Sequence, residues 1–232
     1  MFADKIFIVT GAAGNVGSAV VRLLASRGAR VAAVDMLERP LSAVMQTLEN
    51  PQLHLPLPGI DLADPSACEA LVARVVQTLG GLHGVATTVG GFAMGKLADT
   101  GLAEWDAMFM LNVKTTWNIY RAAVPVLRAA GGGSLVGIGS AAGLRGSGEM
   151  APYAAMKSAV MRLTESLAEE LRSDHIRANA VLPTTIDTPQ NRAAMPGANT
   201  SRWVKPAEVA EAMLFLLSDA ASGVSGALLP VG

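Results

Sequence analysis

The stretch IVTGAAGNVGSA, Ile8 to Ala19, reads as a short buried strand, a glycine-rich turn and the start of a helix. Its glycines stand at positions 11, 14 and 17, which is not the G-x-G-x-x-G spacing of the common dinucleotide fingerprint. The physics of a phosphate loop is nevertheless present. A strand that turns tightly into a helix offers free backbone N–H groups and the positive end of a helix dipole, and both attract phosphate. Gly11 permits the sharp turn, and Gly17 permits close packing of helix on strand. Asn15 stands where a small residue is expected. After glycine, Asn and Asp tolerate positive φ best. The sequence therefore predicts a left-handed backbone at Asn15, with the loop N–H groups turned to a pyrophosphate.

Outward from this loop, short apolar runs alternate with longer helical patterns. Strands are expected at Lys5–Thr10, Arg30–Asp35, around Leu53–Leu57, His83–Val89, Ser134–Gly139, Ile176–Leu182 and Gly226–Val231. Continuous apolar runs suit a sheet covered on both faces. Val16, Val20, Leu23 and Leu24 follow helical spacing and Gly28 stops that helix. Further helices are expected near Leu41–Glu49, Pro65–Leu79, Leu102–Ala130, Tyr153–Arg172 and Pro206–Leu217. The alternation predicts an α/β fold, a doubly wound Rossmann-like domain with about seven parallel strands and helices on both faces.

The 232 residues are 51% hydrophobic and 16% charged, which suits one sizeable domain, residues 1–232. A net charge of −1 without a basic run argues against a nucleic-acid or anionic-membrane surface. No secretory leader pattern or spanning apolar run is evident, so a soluble, cytoplasmic protein is expected. Cys68 stands alone, and His54, His83 and His175 share no ligand spacing, so no metal is implied.

Asp35 ends the second strand, 18 residues past Gly17. An acid there accepts hydrogen bonds from the adenosine ribose and repels a 2′-phosphate, which favours NAD(H) over NADP(H). Asp61, in GIDLAD, ends the third strand; it reads either as an adenine contact or as a helix cap ahead of Pro65. Tyr153 and Lys157 lie four apart on one helical face. An ammonium beside a phenol lowers its pKa and lets it trade a proton near neutral pH. Ser140 follows a strand 13 residues before Tyr153, where its hydroxyl can hold a substrate oxygen. Asn112 lies in an apolar helical segment, and a buried amide must be hydrogen-bonded, either to backbone or to a water serving Lys157.

With TGAAGNVG, Asp35, Ile60–Leu62, Asn112, Ser140, Tyr153, Lys157, NAVLPTTIDTP and SGALLPVG in order, the chain resembles the short-chain dehydrogenase/reductase family over essentially its whole length. That family writes its loop T-G-x-x-x-G-x-G, so Asn15 replaces the middle glycine. The resemblance implies an Asn112–Ser140–Tyr153–Lys157 tetrad. Tyr153 is then the acid/base and Ser140 polarises the substrate oxygen. Lys157 binds the nicotinamide ribose and depresses the Tyr153 pKa, and Asn112 holds a relay water. It implies cofactor contacts from Gly11, Gly14, Asn15, Val16 and Gly17, from Asp35 and Met36, and from Asp61 and Leu62. Further contacts fall to Thr88, Val89, Gly90 and Ile138, to Tyr153 and Lys157, and to Pro183, Thr184, Thr185, Ile186 and Thr188, the last at the nicotinamide carboxamide.

The chain departs from the pattern at two places. The family's N-N-A-G is Thr87-Thr88-Val89-Gly90, where Thr is expected to preserve the sheet bonds, and its P-G is Pro183-Thr184. The segment from Leu182 to Trp203 is similar to the quinonoid dihydropteridine reductase branch, although that branch lacks the tetrad serine.

Gly91–Gly95, Ala141–Met150 and Gln190–Trp203 are expected to frame the substrate, the last as a lid. Met108, Leu111, Trp117, Val124, Val160, Leu163, Leu167 and Leu171 exceed what one face against a sheet needs. The resemblance implies a homodimer or homotetramer paired through these helices. The expected activity is NAD(H)-dependent hydride transfer to or from a small or medium neutral carbonyl or secondary alcohol. Dihydropteridine reduction and a non-catalytic NAD sensor are the alternatives.

Overall fold

The computed structural model describes residues 2–232. Seven strands form one sheet: β1 (Ile6–Thr10), β2 (Arg30–Asp35), β3 (Leu55–Pro58), β4 (Gly84–Thr87), β5 (Gly133–Ile138), β6 (Ile176–Pro183) and β7 (Leu228–Val231). Their order is β3-β2-β1-β4-β5-β6-β7, and every pairing is parallel.

Eight helices connect and cover them: α1 (Asn15–Ser26), α2 (Glu38–Met45), α3 (Pro65–Leu79), α4 (Leu102–Phe109), α5 (Thr115–Ala129), α6 (Ala151–Glu170), α7 (Pro189–Ala194) and α8 (Pro206–Leu217). Phe7, Val9, Val31 and Ala33 point to the face covered by α1, α2 and α8. Their neighbours Ile6, Ile8, Ala32 and Val34 point to the face covered by α3, α5 and α6. Burial on both faces accounts for strands that are apolar at every position.

The expected Leu102–Ala130 helix is interrupted. Residues Met110–Lys114 form a π-helical turn between α4 and α5. Such turns are rare and often mark functional sites, and this one contains Asn112. Helix α2 starts at Glu38 and stops at Met45, earlier than the apolar spacing suggests. Pro40 falls in its first turn, where a missing N–H costs nothing.

The chain winds outward from β1 through β2 to β3, then crosses back to place β4 on the other side of β1. The carboxyl ends of β1 and β4 therefore border the crevice where ligands bind in such sheets. No described helix is long and apolar enough to cross a membrane.

Candidate active site

The turn after β1 is made by Gly11, whose φ is +66°. Gly14 follows as the extended N-cap of α1, and its N–H donates to the Gly11 carbonyl at 2.9 Å. Asn15 is thus already the first residue of the helix, in the right-handed region. The expected left-handed Asn15 is corrected: Gly11 alone supplies the positive φ, and nothing beyond it requires another. Ser18 makes the first intrahelical bond, to Gly14, so the N–H groups of Asn15, Val16 and Gly17 are left for a ligand. A Cβ on Gly17 would overlap the Gly11 carbonyl oxygen and lie 2.7 Å from Thr88 Oγ1, so only glycine fits there.

Neighbouring strands hold this cradle. The Thr88 hydroxyl donates to the Thr10 carbonyl at 2.8 Å, and the Thr87 hydroxyl pairs with the Tyr120 hydroxyl at 3.2 Å. The departure from the family's asparagines therefore keeps the link between β4 and β1. Ala13 N–H donates to Asp35 Oδ2 at 2.9 Å and Leu37 N–H to Oδ1 at 3.0 Å, which fixes the carboxylate against the loop. Met36, beside it, is exposed. Asp61 accepts from Ala63 N–H at 2.8 Å, but the cap of α3 is Asp64, which accepts from Ser66 N–H. The Leu62 carbonyl is held by Asn118 Nδ2 at 2.9 Å. Asn118 is not among the residues expected from the sequence. Its signal was a second amide, buried in the same apolar segment as Asn112.

The four tetrad positions converge at the carboxyl ends of β4 and β5. Asn112 is buried: its Nδ2 donates to the Gly91 carbonyl at 3.2 Å and its Oδ1 accepts from Gly91 N–H at 3.3 Å. A Cβ at Gly90 would stand 2.9 Å from Asn112 Oδ1 and 3.2 Å from Lys157 Nζ, so both groups crowd the same point. Lys157, also buried, donates to the Ile138 carbonyl at 3.1 Å. Its Nζ is 5.8 Å from the Tyr153 ring centroid. Ser140 Oγ accepts from Ala142 N–H at 3.2 Å, which leaves its own proton to donate. Its turn is pinned to α6 by Ser158 Oγ, which donates to the Gly143 carbonyl at 2.6 Å.

The electrostatics differ in one respect from expectation. Burial pushes the Tyr153 phenol up, and the adjacent Ser140 hydroxyl pulls it partly back. The net direction is up, opposite to the depression expected from Lys157. Desolvation lowers Lys157 itself from 10.5 to about 8.

Around the tetrad, Phe92 packs edge-on against Tyr153 with ring centroids 4.9 Å apart. Gly95 N–H donates to the Glu149 carbonyl at 2.8 Å, tying the wall segment after β4 to the one after β5. Pro183 ends β6, and Thr184 N–H donates to the Val231 carbonyl at 3.1 Å. Ile186 bridges Val204, and the Thr185 carbonyl accepts from Val204 N–H at 2.9 Å. Thr188 caps α7 by accepting from Asn191 N–H at 3.1 Å. Two of the three histidines have structural partners: His54 and His83 Nδ1 accept from Val31 and Ile6 N–H.

The family model described as enoyl-(acyl carrier protein) reductase matches residues 11–232. The chain belongs to the short-chain dehydrogenase/reductase family and is an oxidoreductase. It is 31% identical to the 3-oxoacyl-[acyl-carrier-protein] reductase FabG of Thermotoga maritima, over 98% of this chain and 96% of that one. It is 35% identical to the cis-4-hydroxycyclohexanecarboxylate dehydrogenase of Sinomonas cyclohexanicum, over 99% and 96%. A crystal structure of carveol dehydrogenase from Mycobacterium avium, in complex with NAD, superimposes with a TM-score of 0.90 at 27% identity, covering 99% of this chain and 96% of that one.

Proposed function

We propose that the protein reduces a small or medium neutral ketone with NADH, or oxidises the matching secondary alcohol with NAD. The observation that carries this reading is the convergence of Asn112, Ser140, Tyr153 and Lys157 beside a glycine cradle that no side chain can fill. When bound, the nicotinamide supplies or accepts the hydride. Tyr153 exchanges the matching proton with the substrate oxygen. Burial holds its phenol protonated at neutral pH, the form needed to protonate a nascent alkoxide. Ser140 donates to the same oxygen. Asn112 and Lys157 flank one point beside Gly90, close enough for a single water to link them.

The loop N–H groups of Asn15, Val16 and Gly17 would hold the pyrophosphate, with Gly11 and Gly14 shaping the turn. Asp35 and Met36 would take the adenosine ribose, and Asp61 and Leu62 the adenine. Thr88, Val89, Gly90 and Ile138 would line the middle of the site, with Lys157 on the nicotinamide ribose. Pro183, Thr184, Thr185, Ile186 and Thr188 would close around the nicotinamide. Both Asp35 oxygens already accept N–H donors and retain lone pairs for ribose hydroxyls, while a 2′-phosphate would meet a fixed negative charge. This supports NAD(H) over NADP(H).

Phe92, Met94 and Leu144, on the wall segments, expose apolar surface, which suits an uncharged substrate. Leu111 and Trp117 are exposed with Trp105 and Phe109 on α4, α5 and the turn between them, which supports self-association through that face. Met108, Val160, Leu167 and Leu171 are buried within the chain and take no part in it. A panel of ketones and alcohols with NADH and NADPH tests the reading. NADH-dependent turnover of neutral ketones supports it; NADH binding with no turnover across the panel overturns it.

A further inference from the structure

The side chain of Asn15 donates from Nδ2 to Gln190 Oε1 at 3.0 Å, across 175 residues of sequence. Asn15 follows β1, and Gln190 is the second residue of α7, which follows β6. Strands β4 and β5 lie between β1 and β6, a gap of about 14 Å at the usual strand spacing. The bond therefore spans the carboxyl ends of β4 and β5, above the crevice that contains Gly90 and Ser140.

The rest of this segment is tied only to its own base. None of residues 189–202 is buried. Among the described residues, every other hydrogen bond made by 189–203 stays within 186–203. Thr188 caps Asn191, Asn191 Nδ2 donates to the Ile186 carbonyl, and Arg192 pairs with Asp187. That base is itself anchored where Ile186 bridges Val204. The segment is thus a flap with a firm hinge and one polar tether, at the start of α7.

We infer that Asn15 and Gln190 form a clasp that holds α7 over the crevice and slows release of the bound dinucleotide. The inference rests on the NAD(H) reading for its ligand, though not for the clasp itself. Asn15 is a positioning residue in this scheme: its backbone N–H faces the cradle while its side chain holds the flap. Opening the flap requires breaking one exposed amide–amide bond, so the clasp is weak enough to cycle with turnover.

Amide hydrogen exchange of residues 189–203 and stopped-flow release of NADH test this on the full chain. Asn15→Ala and Gln190→Ala should each speed both by about 3- to 10-fold, the range expected for one exposed hydrogen bond. The double variant should be no faster than either single one. The exchanged pair Asn15→Gln with Gln190→Asn keeps the summed side-chain length and should restore slow exchange and slow release. The clasp is overturned if Gln190→Ala leaves flap exchange unchanged, or if the two single effects multiply in the double variant. If wild type binds no NADH, the cofactor reading fails, while the exchange data still judge the clasp.

Discussion

Ala13, inside the glycine loop, donates its N–H to the Asp35 carboxylate at 2.9 Å, so the acid that ends β2 is locked to the loop after β1. A carboxylate fixed in this way cannot swing aside for a 2′-phosphate. NADH should bind at least 10-fold more tightly than NADPH, the scale of one unfavourable charge contact. Asp35→Ala should weaken NADH and strengthen NADPH, shrinking that ratio. Fluorescence titration of both dinucleotides checks this; an unchanged ratio removes Asp35 as the selector.

Gly17 lies where a Cβ would collide with the Gly11 carbonyl, a backbone atom with no freedom to retreat. Gly17→Ala should cost about 1–3 kcal/mol of stability, as overpacking does, and should abolish NADH binding at concentrations that saturate wild type. Urea unfolding with and without NADH reads both effects. Normal stability with normal binding would mean the cradle is looser than described.

Lys157 titrates near 8 in the folded chain because its ammonium is desolvated, against 10.5 when exposed. Between those values the unfolded state binds more protons, so this residue's contribution to stability rises with pH. At pH 7 the buried charge costs about 3 kcal/mol. Lys157→Met should therefore melt above wild type at pH 7, with the margin shrinking as pH rises from 8 toward 10.5 while turnover stays lost. Thermal unfolding at several pH values checks this, and a margin indifferent to pH contradicts it.

Phe109 and Trp117, on either side of the π-helical turn, present large exposed apolar surfaces. Trp117→Glu combined with Phe109→Glu should convert the protein to monomers in light scattering without lowering NADH affinity more than about 3-fold, since surface changes distant from the cradle are usually mild. A wild type that is already monomeric at micromolar concentration would refute association through this face.

Much of this was legible before the structure. The α3 and α8 boundaries follow from Pro at the start of an apolar period, and both helices run as their sequences indicate, Pro65–Leu79 and Pro206–Leu217. A parallel sheet of about seven strands follows from alternating segments and one glycine loop. Three features were not legible, each for a physical reason. The π-helical turn at Met110–Lys114 leaves the apolar spacing of its segment almost unchanged, so the sequence gives no sign of a break. Whether Gly11 or Asn15 takes the positive φ depends on where the loop's hydrogen bonds close, and composition does not encode that. The Asn15–Gln190 bond joins residues 175 apart through a flap with no buried side chain, so no local pattern marks it. Ser140 was readable as a candidate because it follows the end of β5, and Tyr153 with Lys157 because they share one face of α6; Asn112 was marked only as an amide in an apolar segment.

The most direct measurement is the rate of NADH oxidation by wild type and Tyr153→Phe with the best ketone of the panel, alongside NADH affinity for each. Loss of a positioned acid should lower turnover by about 10²- to 10⁴-fold while leaving NADH affinity intact. A Tyr153→Phe enzyme that turns over at the wild-type rate would contradict the assignment of Tyr153 as the proton donor.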